Sequence, residues 1–221
     1  MSDADNTTPD TAEHAAPGTG APARKRPKPG ERRIQILQAL ASMLEQPGAE
    51  RITTAALAAK LEVSEAALYR HFASKAQMFE GLIEFIEQAV FTLVGQIAER
   101  EAGATDPAAG ARHAGKVVTM LLQFAEKNPG MTRVMVGDAL VFENERLQQR
   151  MNQFFDKIES TLKQCLREGA PAASMTPTAD AQVQASVLTD FVVGRLQRFA
   201  RSGFRRLPTE HLDASLGQML R

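Results

Sequence analysis

Side chains suited to contact with DNA are concentrated in residues 53–75. Hydroxyl, phenol and imidazole groups can donate to phosphate oxygens, and Lys or Arg neutralises their charge. Ser64 and Glu65 could instead meet base edges in the major groove, because Ala66 and Ala67 beside them are small enough to permit a close approach. The candidate DNA-contacting residues are Thr53, Thr54, Ser64, Glu65, Ala66, Ala67, Tyr69, Arg70, His71 and Lys75.

Four of these side chains have alternative explanations that the sequence leaves open. Glu65 could accept from a cytosine amino group, or it could stabilise the positive end of a helix dipole. His71 and Lys75 suit the DNA backbone, and Lys75 in a first helical turn would add charge beside free amides, but both could be solvated surface residues. Arg70 could pair with a nearby glutamate instead of DNA.

The elements that would position these residues lie in Ile52–Phe79, which has the pattern of a helix-turn-helix and the start of a further helix. Threonine and serine stand where these helices should begin, at Thr53 or Thr54, Ser64 and Ser74, and a glutamine three residues after Ser74 completes a capping box. Apolar spacing lets the two short helices share a small core of Leu57, Ala58, Val63, Leu68 and Phe72. The polar residues are therefore expected to point outward.

The distribution of charged residues along the chain supports DNA binding by this segment, whereas the net charge of the chain gives no sign of it. The 221 residues carry 26 Lys and Arg against 26 Asp and Glu, but residues 24–75 hold ten basic residues and only five acids. Four of the ten precede Glu31 in the segment ARKRPKPGERR: Arg24, Lys25, Arg26 and Lys28. Residues 1–29 are predicted to be disordered, because they are rich in Ala, Pro, Thr, Gly and Asp. Their basic end is either an arm that reaches DNA or a solvated linker.

Every other long segment has apolar residues at helical spacing, and none alternates convincingly with period two. The predicted helices are 31–46, 74–102, 113–127, 131–140, 143–168, 180–202 and 208–220, in addition to the two short ones. No apolar run approaches the roughly 18 residues of a membrane-spanning helix. The predicted fold is all-α with about nine helices. A three-helix DNA-binding domain occupies residues 30–76 and a larger helical domain residues 77–221.

The helix predicted over residues 180–202 is apolar on two faces, so both must be covered. One face would pack on the rest of the domain, and the other would pack on a second subunit. We therefore expect a homodimer. The candidate interface residues are Val187, Phe191, Gly194, Leu196 and Phe199.

Enzymatic function has little support in the sequence. Its four histidines are scattered, and no metal-ligand spacing, nucleophile elbow or phosphate-binding loop is present. The single cysteine, Cys165, excludes an internal disulfide and is expected to be a small buried side chain. No cofactor is expected, and the absence of disulfide chemistry favours the cytoplasm.

The stretch VSEAALYRHFASKAQMF, with Tyr69, Phe72 and Lys75, resembles the DNA-binding signature of the TetR family of dimeric bacterial regulators. RITTAALAA, LIEFIE at 82–87 and NPGMTRVMVGDALVFENERLQQRMNQFFDKIE at 128–159 are similar to the nucleoid occlusion members of that family. The similarity covers about residues 31–208. It departs in the N-terminal tail, at about 93–118 and at 169–180.

This resemblance implies a protein that binds double-stranded chromosomal DNA and, when bound, antagonises polymerisation of FtsZ, the tubulin-like division GTPase. It points to Phe85, Met120, Lys127 and Asn128 for contact with an extended FtsZ tail. Phe85 also lies on the apolar stripe of its helix, so core packing is equally open. A nucleoid-associated location follows, and whether one dimer or several bind one DNA site is left open.

The wider family implies an alternative, a transcriptional repressor that a small ligand releases from DNA. Such a repressor needs a cavity in the C-terminal domain with a few polar groups. The sequence offers little beyond Asn152, Gln153, Thr189 and Asp190 for that purpose. It therefore favours a filled core.

Overall fold

The computed structural model describes residues 30–46, 52–103, 106, 108–141, 143–168 and 177–220. In these ranges the regular structure is entirely helical, which confirms the predicted all-α fold. The helices are α1 Glu31–Leu44, α2 Thr54–Lys60, α3 Glu65–Tyr69, α4 Lys75–Glu101, α5 Ala109–Lys127, α6 Pro129–Met135, α7 Glu145–Glu168, α8 Pro177–Arg201 and α9 Leu212–Met219. The tail 1–29, with its basic cluster, and residues 169–176 lie outside the described residues.

Several helix starts differ from the predicted ones: α7 begins two residues later and α8 three residues earlier, and three further helices differ as follows. α5 begins at Ala109, earlier than the expected His113. The expected stop is present, because α5 ends at Lys127, but α6 begins at Pro129 and not at Met131; proline is well tolerated at the first helical position, where its missing N–H is not needed. α9 begins only at Leu212, after His211 in the left-handed conformation, instead of at Pro208.

The N-terminal module is held together by one shared apolar core. α1 packs on α2 and α4, and α2 packs on α3. The tight turn between α2 and α3 places Glu62 in the left-handed region with φ of 53°, and the Val63 amide donates to the Ala58 carbonyl at 3.0 Å. The buried side chains of this core are Ile36, Leu40, Leu57, Leu68 and Phe72.

The direction of the C-terminal helices follows from contacts near this module. α5 ends beside α6, which packs on α1. Glu143, just before α7, pairs with Lys75 at the first residue of α4, so α7 starts near the DNA-binding module and runs away from it. α8 packs along α7 and runs back toward the module. Phe204, just beyond α8, accordingly lies under the guanidinium of Arg133 in α6, with 5.1 Å between the guanidinium carbon and the ring centre.

α4 is apolar enough to need a separate account. One 18-residue window of this helix has a mean hydropathy of 1.3, within the range of some membrane-spanning helices, although the sequence has no long uninterrupted apolar run. Leu82, Ile86 and Val90 on this helix are fully buried against the rest of the fold. We interpret α4 as a core helix that joins the two parts of the protein.

The predicted dimer face of α8 divides into two groups. Val187 is 49% exposed, and Phe191 and Gly194 are partly exposed. Leu196 and Phe199 are instead 0% and 1% exposed, so their assignment to the dimer interface was wrong. They lie on the face that packs inside the subunit, because a helix covered on both sides presents different residues to its own core and to a partner.

Cys165 is buried in α7, as expected. Burial raises the pKa of its thiol to about 11, and the nearby Glu168 charge acts in the same direction. The thiolate is therefore scarce at neutral pH, as in other structural cysteines.

The contact between α1 and α6 depends on a glycine. A Cβ atom on Gly130 would lie only 1.9 Å from the carbonyl oxygen of Ala41 in α1. Backbone atoms cannot move aside as a flexible side chain can. Gly130 therefore permits the DNA-binding module and the C-terminal domain to pack closely.

We expect Gly130→Ala to lower the free energy of unfolding by about 3 kcal/mol, because overpacked contacts in tight interiors cost energy of this order. Gly95→Ala is the matched control, since Gly95 is also helical and a Cβ there would meet nothing within 4 Å. That change should raise the free energy of unfolding by about 0.5–1 kcal/mol. Urea unfolding followed by circular dichroism at one protein concentration measures both. Equal stabilities of the two variants would contradict this account of the interface.

Candidate nucleic-acid interface and partner groove

Three side-chain caps fix where the helices of the interface begin. Thr53, Ser64 and Ser74 are the N-cap residues of α2, α3 and α4. Their hydroxyl oxygens accept from the backbone amides of Ala56, Ala67 and Gln77 at 3.1, 3.2 and 3.2 Å. The Gln77 side chain returns to accept from the Ala73 amide at 2.9 Å, one residue before the amide of an ideal capping box. The caps predicted at Ser64 and Ser74 are thus present, and Thr53 rather than Thr54 caps α2.

The short helix α3 presents the candidate reading surface. Leu68 is buried beneath it, whereas Ser64, Glu65 and Ala66 are exposed, Ala67 is half-buried, and Tyr69 is 45% exposed. Small residues on the exposed side leave the backbone of this helix accessible. That is the arrangement a groove-entering helix requires.

Glu65 has a partner within the protein. The Thr54 hydroxyl donates to the Glu65 carboxylate at 2.6 Å, and the Tyr69 hydroxyl lies 3.5 Å from the same Thr54 oxygen. These contacts tie α2 to both ends of α3. Glu65 and Thr54 therefore hold the two helices in register, a role that neither the base-contact nor the helix-dipole explanation anticipated.

Arg33 of α1 supports the turn that leads into α4. Its guanidinium donates to the His71 carbonyl at 3.0 Å and stacks 4.1 Å above the Phe72 ring. The His71 and Arg70 side chains remain exposed at this turn. Arg33 was not among the candidate site residues, because its partners are far away in the chain.

Lys75 also has a partner that the sequence did not indicate. Its ammonium lies 2.5 Å from the Glu143 carboxylate, and the two side chains are 33% and 11% exposed. Glu143 belongs to the C-terminal domain and stands just before α7. The candidate phosphate-binding lysine at the start of α4 is therefore neutralised from the other part of the protein, and it is not an isolated solvated charge.

A groove of about 370 Å³ runs between α4 and α5, farther from the DNA-binding module. Its lining residues are Leu93, Gln96, Ile97, Arg100, Glu101, Lys116, Thr119, Met120 and Gln123. Lys116 donates to the Glu101 carboxylate, and this hydrogen bond, with the charges of Lys116 and Arg112, lowers the pKa of Glu101 below its usual value. The groove thus combines an apolar floor with charged walls.

Of the four predicted partner-binding residues, only Met120 lines this groove. Phe85 is partly buried and packs against the core. Lys127 is exposed at the end of α5, and the Asn128 side chain donates to the Phe124 carbonyl at 2.7 Å. Because α4 and α5 are antiparallel, these three residues lie toward the end of the helix pair nearer the DNA-binding module.

The comparisons with known proteins agree with both parts of the architecture. Residues 36–82 match the model of bacterial regulatory proteins of the tetR family. Residues 112–220 match a model described as SlmA-like, the C-terminal domain of tetracyclin repressor-like proteins. Together these matches cover well over half of the chain.

Curated relatives extend the similarity over most of the sequence. The chain is 51% identical over 183 residues to the nucleoid occlusion factor SlmA of Idiomarina loihiensis, covering 83% of this chain and 90% of that protein. It is 50% identical to SlmA of Vibrio cholerae, with coverage of 82% and 90%.

Solved structures share the fold at much lower sequence identity. FadR from Bacillus subtilis, solved in complex with stearoyl-CoA, superimposes with a TM-score of 0.65 at 12% identity, covering 85% of this chain and 97% of that one. A TetR-like regulator from Rhodococcus superimposes with a TM-score of 0.63 at 18% identity, covering 89% of this chain and 94% of that one. These similarities concern the fold alone.

We expect Glu143→Gln to tighten binding to any DNA duplex by about two- to fivefold, because it frees the Lys75 charge and removes a carboxylate that repels phosphate. Fluorescence anisotropy with specific and random duplexes measures the change. In a Lys75→Ala background the gain should be smaller, because only the loss of repulsion between the Glu143 carboxylate and phosphate remains. A gain of equal size without Lys75 would show that Glu143 does not act through Lys75.

Proposed function

Because the chain belongs to the TetR family of bacterial regulatory proteins, and its matches are to the SlmA nucleoid occlusion factors within that family, we propose that it inhibits cell division in response to DNA. Bound to specific chromosomal sites as a dimer, it antagonises FtsZ polymerisation and blocks septum formation over the nucleoid. The similarity at about half of all positions over most of both chains is the observation that carries this proposal.

Sequence-specific DNA binding is supported by the geometry of α2, α3 and the start of α4. The exposed Ser64 and Ala66 would face the major groove, whose base edges carry sequence information. Tyr69, His71 and Lys75 would hold the phosphate backbone and so fix the orientation of α3. Since capping and the Thr54–Glu65 contact already order these helices, little rearrangement within the module is needed on binding.

A homodimer is supported by an apolar stripe on α8. Val183 and Val187 are 67% and 49% exposed, and Phe191 and Gly194 continue the same face at steps of four and three residues. Apolar residues at this spacing form the seam between packed helices. A second copy covering the stripe would pair two DNA-binding modules about a twofold axis, as a palindromic site requires.

The surface of α4 and α5 is the proposed site for FtsZ. An extended FtsZ segment would run from Lys127, near the DNA-binding module, past Met120 into the groove. Leu93 and Ile97 supply apolar contact in the groove, and Arg100 and Lys116 supply charge. Since α4 begins in the DNA interface and continues along this groove, one rigid helix links the two binding surfaces.

A ligand-released repressor is less well supported. Of the four polar residues that a ligand cavity could use, Asn152, Gln153 and Asp190 are exposed. The hydroxyl of the buried Thr189 donates to the Ala185 carbonyl one turn earlier in the same helix. These groups therefore do not converge on one cavity.

The proposed location is the cytoplasm, in association with the nucleoid.

The central test measures the effect of DNA on FtsZ assembly. We expect the protein to reduce FtsZ sedimentation in the presence of GTP much more strongly when a duplex from its mapped chromosomal sites is added than when a scrambled duplex is added. Mapping chromosomal occupancy supplies that duplex. Many dispersed sites would support nucleoid occlusion. One or two promoter sites, with no DNA-dependent effect on FtsZ, would support a transcriptional repressor instead.

The FtsZ surface is tested by reversing one charge. We expect Lys127→Glu to abolish the DNA-dependent effect on FtsZ while weakening duplex binding only slightly, because Lys127 belongs to α5 and not to the helix-turn-helix, and salt screens the effect of an exposed charge on DNA. Arg167→Glu is the matched control, since both residues are basic and stand in the last turn of a helix, where the helix dipole acts alike. Equal effects of the two variants on FtsZ would contradict the proposed surface.

A further inference from the structure

Four exposed arginines form a cluster at the end of α8 and in the turn that follows it. We call Arg198, Arg201, Arg205 and Arg206 the arginine patch. The sequence contains no acidic residue between Asp190 and Glu210, so no carboxylate in this segment compensates the patch. Within the described part of the chain, none of the four guanidinium groups pairs with an acid.

The turn that carries the patch is well ordered by its own contacts. The Ser202 hydroxyl oxygen accepts from the backbone amides of Arg205 and Arg206, at 3.1 and 2.9 Å. Gly203 and Phe204 both adopt the left-handed conformation, which reverses the chain. The Phe204 ring packs edge-on against Phe199, with 5.1 Å between ring centres, so the arginines project from a fixed base.

The patch lies on the side of the C-terminal domain that faces the DNA-binding module. α7 starts beside Lys75 and α8 returns along it, so α8 ends near that module. Arg133 of α6 stacks on Phe204 next to the patch, and α6 in turn packs on α1. No part of this placement depends on a second subunit.

The patch also continues the stripe proposed as the dimer seam. Arg198 and Arg201 follow Gly194 at steps of four and three residues, on the face that carries Val187 and Phe191. In the dimer, arginines from both subunits would therefore meet at the end of the seam, between the two DNA-binding modules. Like charges brought together repel each other, and an anion between them would relieve this repulsion.

The helix dipole explains only part of the cluster. Basic residues are favoured in the last turn of a helix, which accounts for Arg198 and Arg201. Arg205 and Arg206 lie beyond the helix, where that effect has faded. The Arg205 guanidinium donates to the Ser202 carbonyl at 3.0 Å, but both side chains remain exposed and neither pairs with an acid among the described residues.

We propose that the arginine patch binds the phosphate backbone of duplex DNA at the centre of the site, between the two segments that the α3 helices contact. This inference rests on the proposed dimeric DNA-binding function and adds a second surface to it. Guanidinium groups suit this role, because their planar donors bind two phosphate oxygens at once. The contact would not read sequence, and it would add affinity that depends strongly on salt.

The test compares Arg205→Gln/Arg206→Gln with the wild type in the full chain. The control is Lys163→Gln/Arg167→Gln, which removes two positive charges near the C-terminal end of α7, at the end of this helix that is farther from the DNA-binding module. A plot of log affinity against log salt should lose about 0.9 in slope for each phosphate contact removed. With two arginines from each of two subunits, we expect a slope smaller by about two to four for the patch variant, and a wild-type slope for the control. Specific and random duplexes should lose affinity alike.

Replacing the central phosphates of the duplex by neutral methylphosphonates locates the contact. This should weaken binding of the wild type and leave the patch variant unchanged. Sedimentation velocity and thermal melting verify that each variant remains folded and assembled as the wild type is. A wild-type salt slope in the patch variant overturns the proposal while leaving DNA-dependent inhibition of FtsZ, and hence the proposed function, untouched. Loss of binding to phosphatidylglycerol vesicles with unchanged duplex binding would also overturn it, in favour of a membrane surface.

Discussion

The close approach of α6 to α1 is the constraint on which the rest of the molecule depends. Gly130 has no side chain, and this allows α6 to lie directly against the Ala41 carbonyl. The contact fixes the DNA-binding module against the C-terminal domain at one end, while the continuous helix α4 joins them at the other. Because both connections are rigid, the position of α3 is coupled to the groove between α4 and α5 and to the end of α8.

The partners of individual charged side chains say more about how this protein could bind DNA than its net charge does. The chain has no net charge, but residues 24–75 carry an excess of basic residues. Two charged side chains in this region, Glu65 and Lys75, already have partners within the protein. Glu65 is held by Thr54, and Lys75 is held by Glu143 from the other domain. A contact between Lys75 and phosphate would therefore replace or compete with its ion pair to Glu143. The arginine patch differs, because none of its four guanidinium groups pairs with an acid among the described residues.

Local features were predicted well because they depend on neighbouring residues. The caps at Ser64 and Ser74 follow from a hydroxyl that reaches an amide three residues ahead. The burial of Leu57, Leu68 and Phe72 follows from helical spacing. Prediction failed where a choice between two apolar faces was needed. Leu196 and Phe199 were assigned to a partner subunit, yet they pack inside their own domain. The prediction failed because helical spacing shows that a helix has two apolar faces but does not show which face is internal.

The sequence by itself determined the all-α class, the helix-turn-helix and its family, since each is encoded in short motifs and periodic patterns. Tertiary structure alone decided which distant groups meet. The pairing of Lys75 with Glu143 and the support of His71 by Arg33 join residues far apart in the chain, which no local pattern can connect. The same is true of the arginine patch. Its residues are visible in the sequence, but only the antiparallel return of α8 along α7 brings them to the side of the DNA-binding module.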